Sequence, residues 1–226
     1  SSICSFPTWV PRNPVRLDNR VWRFLVRLLK QLDSVRYAPA GSCMALKVAD
    51  FFCGCGGTSR GLELSGMEIA LGLDFDPDSA STFQSNFPEA EFLQRDIQEV
   101  TFDEVATALD LKGEDTLVFC GCAPCQPFSK IKTQKRDDDC RVGLLKHFGR
   151  FVRHFRPEYI VVENVPGIQS TQVNSGPLKE FLELLESEGY GGTRTRYEVV
   201  ECQFYGVPQR RRRLVLVATR LGIEAP

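Results

Sequence analysis

Short apolar runs of four to seven residues recur along most of the chain, separated by longer stretches with apolar positions at helical spacing. Leu46–Phe52, Ile69–Leu73, Thr116–Phe119, Glu158–Val162, Thr195–Val200 and Leu214–Val217 read as strands. Helices are predicted near Thr58–Ser65, Asp78–Asn86, Phe102–Leu109, Val142–Phe155 and Pro177–Glu188. Alternation of this kind predicts an α/β fold with a doubly wound, mostly parallel sheet covered on both faces. Residues 1–43 have another texture. Pro7, Pro11 and Pro14 make a loop-like start, and Asp18 is an N-cap for a helix to about Leu32. Val21, Phe24, Leu25, Leu28 and Leu29 form its apolar stripe, and Tyr37 to Ser42 reads as a linker. The pattern thus divides the chain into an appendage, 1–43, and a domain, 44–226.

Composition adds class and compartment. At 42% hydrophobic and 25% charged, the 226 residues fit a globular domain that buries its core without disulfides. No apolar run reaches the ~18 residues of a spanning helix, and no signal-peptide pattern opens the chain, so no membrane role is expected. Nine cysteines are an odd number, and Cys53, Cys55, Cys120, Cys122 and Cys125 cluster in two loops. That predicts a reducing compartment, the cytoplasm first or the nucleus in a eukaryote, over a disulfide framework. Net charge is only −1, yet residues 1–43 carry seven Lys or Arg against two Asp. The acidic remainder holds one dense basic run, Arg210 to Arg213. A local polyanion site and a solvated face both fit it.

Four segments carry candidate chemistry, each at the end of a predicted strand. Asp50-Phe51-Phe52-Cys53-Gly54-Cys55-Gly56-Gly57 joins a strand to a helix, where glycines let backbone approach a ligand. Asp74-Phe75-Asp76 follows the second strand, where doubly wound folds hold ribose hydroxyls. No P-loop lysine follows, and acids crowd the site, so a ribose-bearing ligand without phosphate fits better than a nucleotide phosphate. The glycines alone would equally suit a tight structural turn. In Gly121-Cys122-Ala123-Pro124-Cys125-Gln126-Pro127, two prolines stiffen the backbone around Cys125, as a positioned nucleophile requires. A cysteine can also be simply a small apolar residue, and the clustered thiols invite a zinc reading. The Cys-x-Cys spacings, however, do not match structural zinc sites, and no metal is expected. Glu163, in Val161-Val162-Glu163-Asn164-Val165, is either a proton donor at a strand end or an exposed glutamate. Gln209-Arg210-Arg211-Arg212-Arg213 leads into the last strand. If that strand starts at Arg213, then Arg211 and Arg213 share one face.

Together, in this order, these segments closely resemble the DNA (cytosine-5)-methyltransferase family over about residues 46–219. The resemblance implies an S-adenosylmethionine-dependent methyltransferase of Rossmann-like fold. It assigns the first cofactor motif to Phe52, Gly54, Gly56 and Gly57, and the second to Asp74 and Phe75. Asp96 and Ile97 match the motif placed against the adenine, and Pro124 joins the cofactor set. Arg141-Val142-Gly143-Leu144-Leu145 is a looser match to a family helix start. Cys125 would be the nucleophile, Glu163 would hold ring nitrogen 3 and the exocyclic amine, and Arg213 with Arg211 would hold the carbonyl oxygen or adjacent backbone. DNA is the implied partner, with the cytosine flipped from the duplex. The family normally continues into a target-recognition domain and an asparagine-containing helix. Neither is recognisable before Pro226, so a further segment or a second chain carrying the recognition domain is expected. The basic helix of residues 18–32 could stand in for the missing helix, although it lacks the family signature. A transfer-RNA cytosine-5 methyltransferase would share every motif, and a non-catalytic regulatory subunit would share the fold. The intact Cys125 and Glu163 argue against the latter.

Overall fold

The computed structural model describes residues 46–113, 115–124, 143–169, 176–205 and 208–225. The expected helix of residues 18–32, the nucleophile candidate Cys125 and the Arg141–Val142 match lie outside the described residues. Strand β1, Leu46–Phe51, is buried at every position, as a strand covered on both faces must be. Helix α1, Gly57–Leu64, follows it. Then come β2, Glu68–Asp74; α2, Pro77–Asn86; β3, Glu91–Gln94; and α3, Phe102–Leu109. After these lie β4, Thr116–Gly121; α4, Leu144–Phe155; β5, Tyr159–Asn164; and α5, Pro177–Leu185. Strands β6, Thr195–Glu201, and β7, Arg212–Thr219, complete the series.

The strands form one sheet in the order β3-β2-β1-β4-β5-β7-β6. The first five run parallel, β7 enters antiparallel beside β5, and β6 pairs antiparallel with β7. The doubly wound, mostly parallel sheet expected from the sequence is therefore present. Alternate strand residues feed two cores. Ala49, Phe51, Phe119, Ile160 and Leu216 face the side packed by α3, α4 and α5. Val48, Ile69, Val118 and Cys120 face the side that receives Phe83 and Phe87 of α2. On the first side, Phe51 meets Phe119 at 5.0 Å and Phe148 at 5.2 Å between ring centroids, and Phe148 meets Phe181 at 5.7 Å. This aromatic cluster seats α4 and α5 against the sheet, near the carboxyl ends of β1 and β4.

Three of the differences from the pattern have a physical reason. Strand β3 was absent from it, because four residues with only Phe92 and Leu93 partly buried leave almost no alternation to read. The last strand begins at Arg212, two residues before Leu214, since backbone pairing with Glu201 continues through the arginines. Helix α5 stops at Leu185 and passes into a π turn, Glu186–Tyr190, with Gly189 at φ 93°. That turn buries the Tyr190 ring and lets its hydroxyl donate to the Pro157 carbonyl at 2.5 Å.

Candidate active site

Strand order reverses between β1 and β4, and the loops leaving their carboxyl ends diverge there, which is where open α/β sheets bind ligands. Phe52 leaves β1 at φ 60°, an uncommon backbone for a residue with a side chain. The amide of Gly54 donates to Asp74 Oδ2 at 2.9 Å, and that of Asp76 donates to Asp74 Oδ1 at 3.1 Å. One carboxylate thus fixes the loops after both β1 and β2. Between these loops lies a cavity of about 230 Å³ lined by Phe52, Leu73, Asp74, Phe75, Arg95, Asp96, Ile97, Gln98, Pro124 and Leu144. Six of these were singled out in the sequence: Phe52, Asp74, Phe75, Asp96, Ile97 and Pro124. Leu144 belongs to the looser match at the family helix start, whereas Leu73, Arg95 and Gln98 were not singled out, although each adjoins a motif residue. The three glycines do not line the cavity. Gly54 organises its rim through Asp74, whereas Gly56 has a packing reason. It sits at φ 86°, and a Cβ there would lie 2.4 Å from Phe87 Cε2.

The other candidate residues lie at the carboxyl end of β5 and the start of β7. Glu163 pairs with Val215 in the sheet register, two residues beyond Arg213. Arg213 Nε lies 2.7 Å from Glu163 Oε1, and both side chains are partly buried. Arg211 is exposed, and its carbonyl accepts from the Cys202 amide at 2.8 Å. Of the two arginines expected to act together, Arg213 is the one paired with Glu163 among the described residues. The neighbouring Asn164 is buried and bridges outward. Its Nδ2 donates to the Ala123 carbonyl at 3.0 Å, and its Oδ1 accepts from the Val165 amide at 2.8 Å. The amide of Cys122 donates to the Phe51 carbonyl at 3.2 Å. The root of the Pro124-Cys125 loop is thereby tied to β1 on one side and to the Glu163 strand on the other. Asn164 was visible in the sequence only as a neighbour of Glu163; its role depends on a contact across forty-one positions.

Beneath the glycine loop, Asp50 is fully buried and accepts from the Ser59 hydroxyl at 2.5 Å. Burial lifts its carboxyl to about 6, with the Ser59 and Cys120 hydrogen bonds pulling it back in part. Burial also pushes the Cys53 thiol well up, helped by the charges of Asp50 and Asp74. Cys120 is raised first by its hydrogen bond with Cys122 and then by burial. Both are thereby held as protonated thiols, the less nucleophilic form. Among the described residues, no group of three His, Cys, Asp or Glu side chains is arranged to hold a metal. Nor is any helix among them long and apolar enough to cross a membrane.

Residues 46–225 match the family model of the C-5 cytosine-specific DNA methylases. The chain belongs to this family. Among the methylases it resembles is the Type II methyltransferase M.XorII of Xanthomonas oryzae pv. oryzae. The two are 36% identical over 177 residues, spanning 78% of this chain and 41% of that one. The Type II methylase M.HgiDII of Herpetosiphon aurantiacus is 37% identical over 177 residues, covering 78% of this chain and 48% of its own. In three dimensions the chain resembles a solved protein assigned as a DNA modification methyltransferase within an E. coli prophage. That match has a TM-score of 0.66 and 27% identity, and covers 77% of this chain and 47% of the other. The chain therefore spans less than half the length of each of these methylases. The Rossmann-like methyltransferase fold expected from the resemblance is the fold observed.

Proposed function

We propose that this chain binds S-adenosylmethionine in the cavity walled by the loops after β1, β2 and β3 and methylates carbon-5 of cytosine in DNA, with Cys125 as nucleophile. The observation that carries the reading is the convergence of Phe52, Asp74, Phe75, Asp96, Ile97 and Pro124 on one cavity. The lining suits the cofactor. Two aromatic rings and Ile97 offer faces for a purine, and Asp74 stands where a ribose diol is held. Arg95 is the one cation in the described lining and is paired with Glu104 at 3.0 Å, while Asp74 and Asp96 in the same lining disfavour a phosphate. When bound, S-adenosylmethionine supplies an electrophilic methyl group on its sulfonium.

The protein must make carbon-5 nucleophilic. Cys125 thiolate adds to carbon-6, which raises electron density at carbon-5; after methylation the carbon-5 proton leaves to a base and the sulfur–carbon-6 bond breaks. Glu163 holds nitrogen 3 and the exocyclic amine, and Arg213, with Arg211, the carbonyl oxygen or adjacent backbone. The 2.7 Å pair between Arg213 and Glu163 aims both groups before a base arrives, a preorganised arrangement of the kind that stabilises developing charge. Residues 44–226 act as the catalytic domain and residues 1–43 as its basic appendage. Target recognition is assigned to sequence corresponding to the rest of the longer methylases, on the same chain or a second one.

The test is covalent trapping on duplex DNA containing 5-fluorocytosine, in a preparation that methylates DNA. Fluorine cannot leave as the proton does, so the adduct should persist and map to the Cys125 peptide. Cys125→Ala should abolish trapping and methylation while leaving cofactor affinity unchanged. Trapping that survives in Cys125→Ala, or maps to Cys122, would overturn the assignment. Equal or faster reaction on transfer RNA would move the substrate class.

A further inference from the structure

We infer that Arg150 of α4 is a positioning residue for the cofactor, holding in place the loop after β3 that walls the cavity; the inference rests on the S-adenosylmethionine reading above. That loop supplies Asp96, Ile97 and Gln98 to the cavity lining. It hangs from a four-residue strand at the sheet edge, so the ladder alone gives it little support. Within the loop, the Asp96 side chain accepts from the Gln98 amide at 2.9 Å, and its carbonyl accepts from the Glu99 amide at 2.9 Å. The carbonyls of Ile97 and Val100 are left to find other donors. Arg150 Nη2 donates to both, at 2.6 Å each, from a helix on the other side of the cavity wall.

The guanidinium is held for this task. Its carbon lies 4.5 Å from the centre of the Phe151 ring and 5.5 Å from that of Phe102. Its Nε is buried with no hydrogen-bond partner among the described residues. A buried donor left unpaired is costly, and an arginine free to turn toward water would avoid that cost. The side chain is instead committed to one pose, in which a single nitrogen ties two carbonyls three residues apart. Helix α4 thus meets the cavity twice, with Leu144 in the lining and Arg150 behind the loop.

The 226-residue chain provides the test, as wild type, Arg150→Met and Arg150→Lys. Each is titrated with S-adenosylmethionine and with adenosine, and amide hydrogen exchange is followed in peptides covering 96–101 and 53–57. Arg150→Met should weaken both ligands by a similar factor, about tenfold, because the ordering of the loop must then be supplied on binding. Exchange should quicken in 96–101 and stay unchanged in the glycine loop. Arg150→Lys, which keeps a charged donor, should recover most of the affinity. A folded Arg150→Met that binds both ligands like wild type would overturn the proposal. So would exchange that quickens uniformly over the sheet, the mark of a merely structural role. If the wild type binds neither ligand, the cofactor reading falls and the inference with it, while the exchange data still report whether Arg150 holds the loop.

Discussion

Asp50 lies two residues before Phe52 in the glycine loop motif, fully buried, with Oδ2 on the Ser59 hydroxyl and Oδ1 without a partner among the described residues. Its carboxyl is raised to about 6 from the ordinary 3.8, chiefly by burial. In the folded state it therefore holds its proton more tightly than in the unfolded chain. The associated stability is fully present below about 3.8 and is lost as pH rises through about 6. The shift corresponds to roughly 3 kcal/mol at neutral pH. Asp50→Asn keeps an oxygen for Ser59 and removes the charge. Its melting temperature should exceed that of wild type at pH 8, with the gap closing as pH falls toward 4. Parallel melting curves across that window would show that Asp50 carries no such cost. Asp50 stood in the motif that announced the site, but nothing in the sequence marked it as buried and half-satisfied. That follows only from where Ser59 and Cys120 come to lie.

At the scale of elements, strong periodicity was legible and weak periodicity was not. Helix α3 was readable to the residue, and α4 was placed by its buried row from Leu144 to Val152. Strand β3 was invisible because it is short and half exposed, and its pairing with β2 is a tertiary choice. The glycine loop teaches a related lesson. Its glycines read as ligand-approach positions, yet Gly56 is required where α1 and α2 meet. An alanine there would carry a Cβ at φ 86° into Phe87 at 2.4 Å and Phe83 at 3.0 Å. Left-handed strain and overpacking together should cost roughly 2–4 kcal/mol. Gly57→Ala, whose Cβ would meet nothing within 4 Å, should be close to neutral. Urea unfolding of the two variants separates these expectations, and equal midpoints would remove the packing account of Gly56.

For the whole molecule, the site was legible because its motifs sit at strand ends, and a parallel sheet gathers strand ends along one edge. Phe52, Asp74, Asp96 and Pro124 are far apart in sequence and share a cavity for that reason. Glu163 and Arg213 meet because β7 runs antiparallel beside β5. What the sequence could not disclose are the supports drawn from other elements: Asn164 under the Ala123 carbonyl and Arg150 behind the loop after β3. Such residues carry no local pattern, since their partners lie forty or more positions away.

The claim that this cavity is a cofactor site is tested most directly by calorimetric titration of the chain with S-adenosylhomocysteine, for wild type and for Phe75→Ala. Phe75 is 68% exposed at the cavity, so its removal spares the core while deleting an aromatic face. The account predicts saturable binding at one site by the wild type, weakened about tenfold in the variant by loss of a base-stacking surface. No detectable binding by a folded wild-type chain, even at ligand concentrations on the order of millimolar, would contradict it.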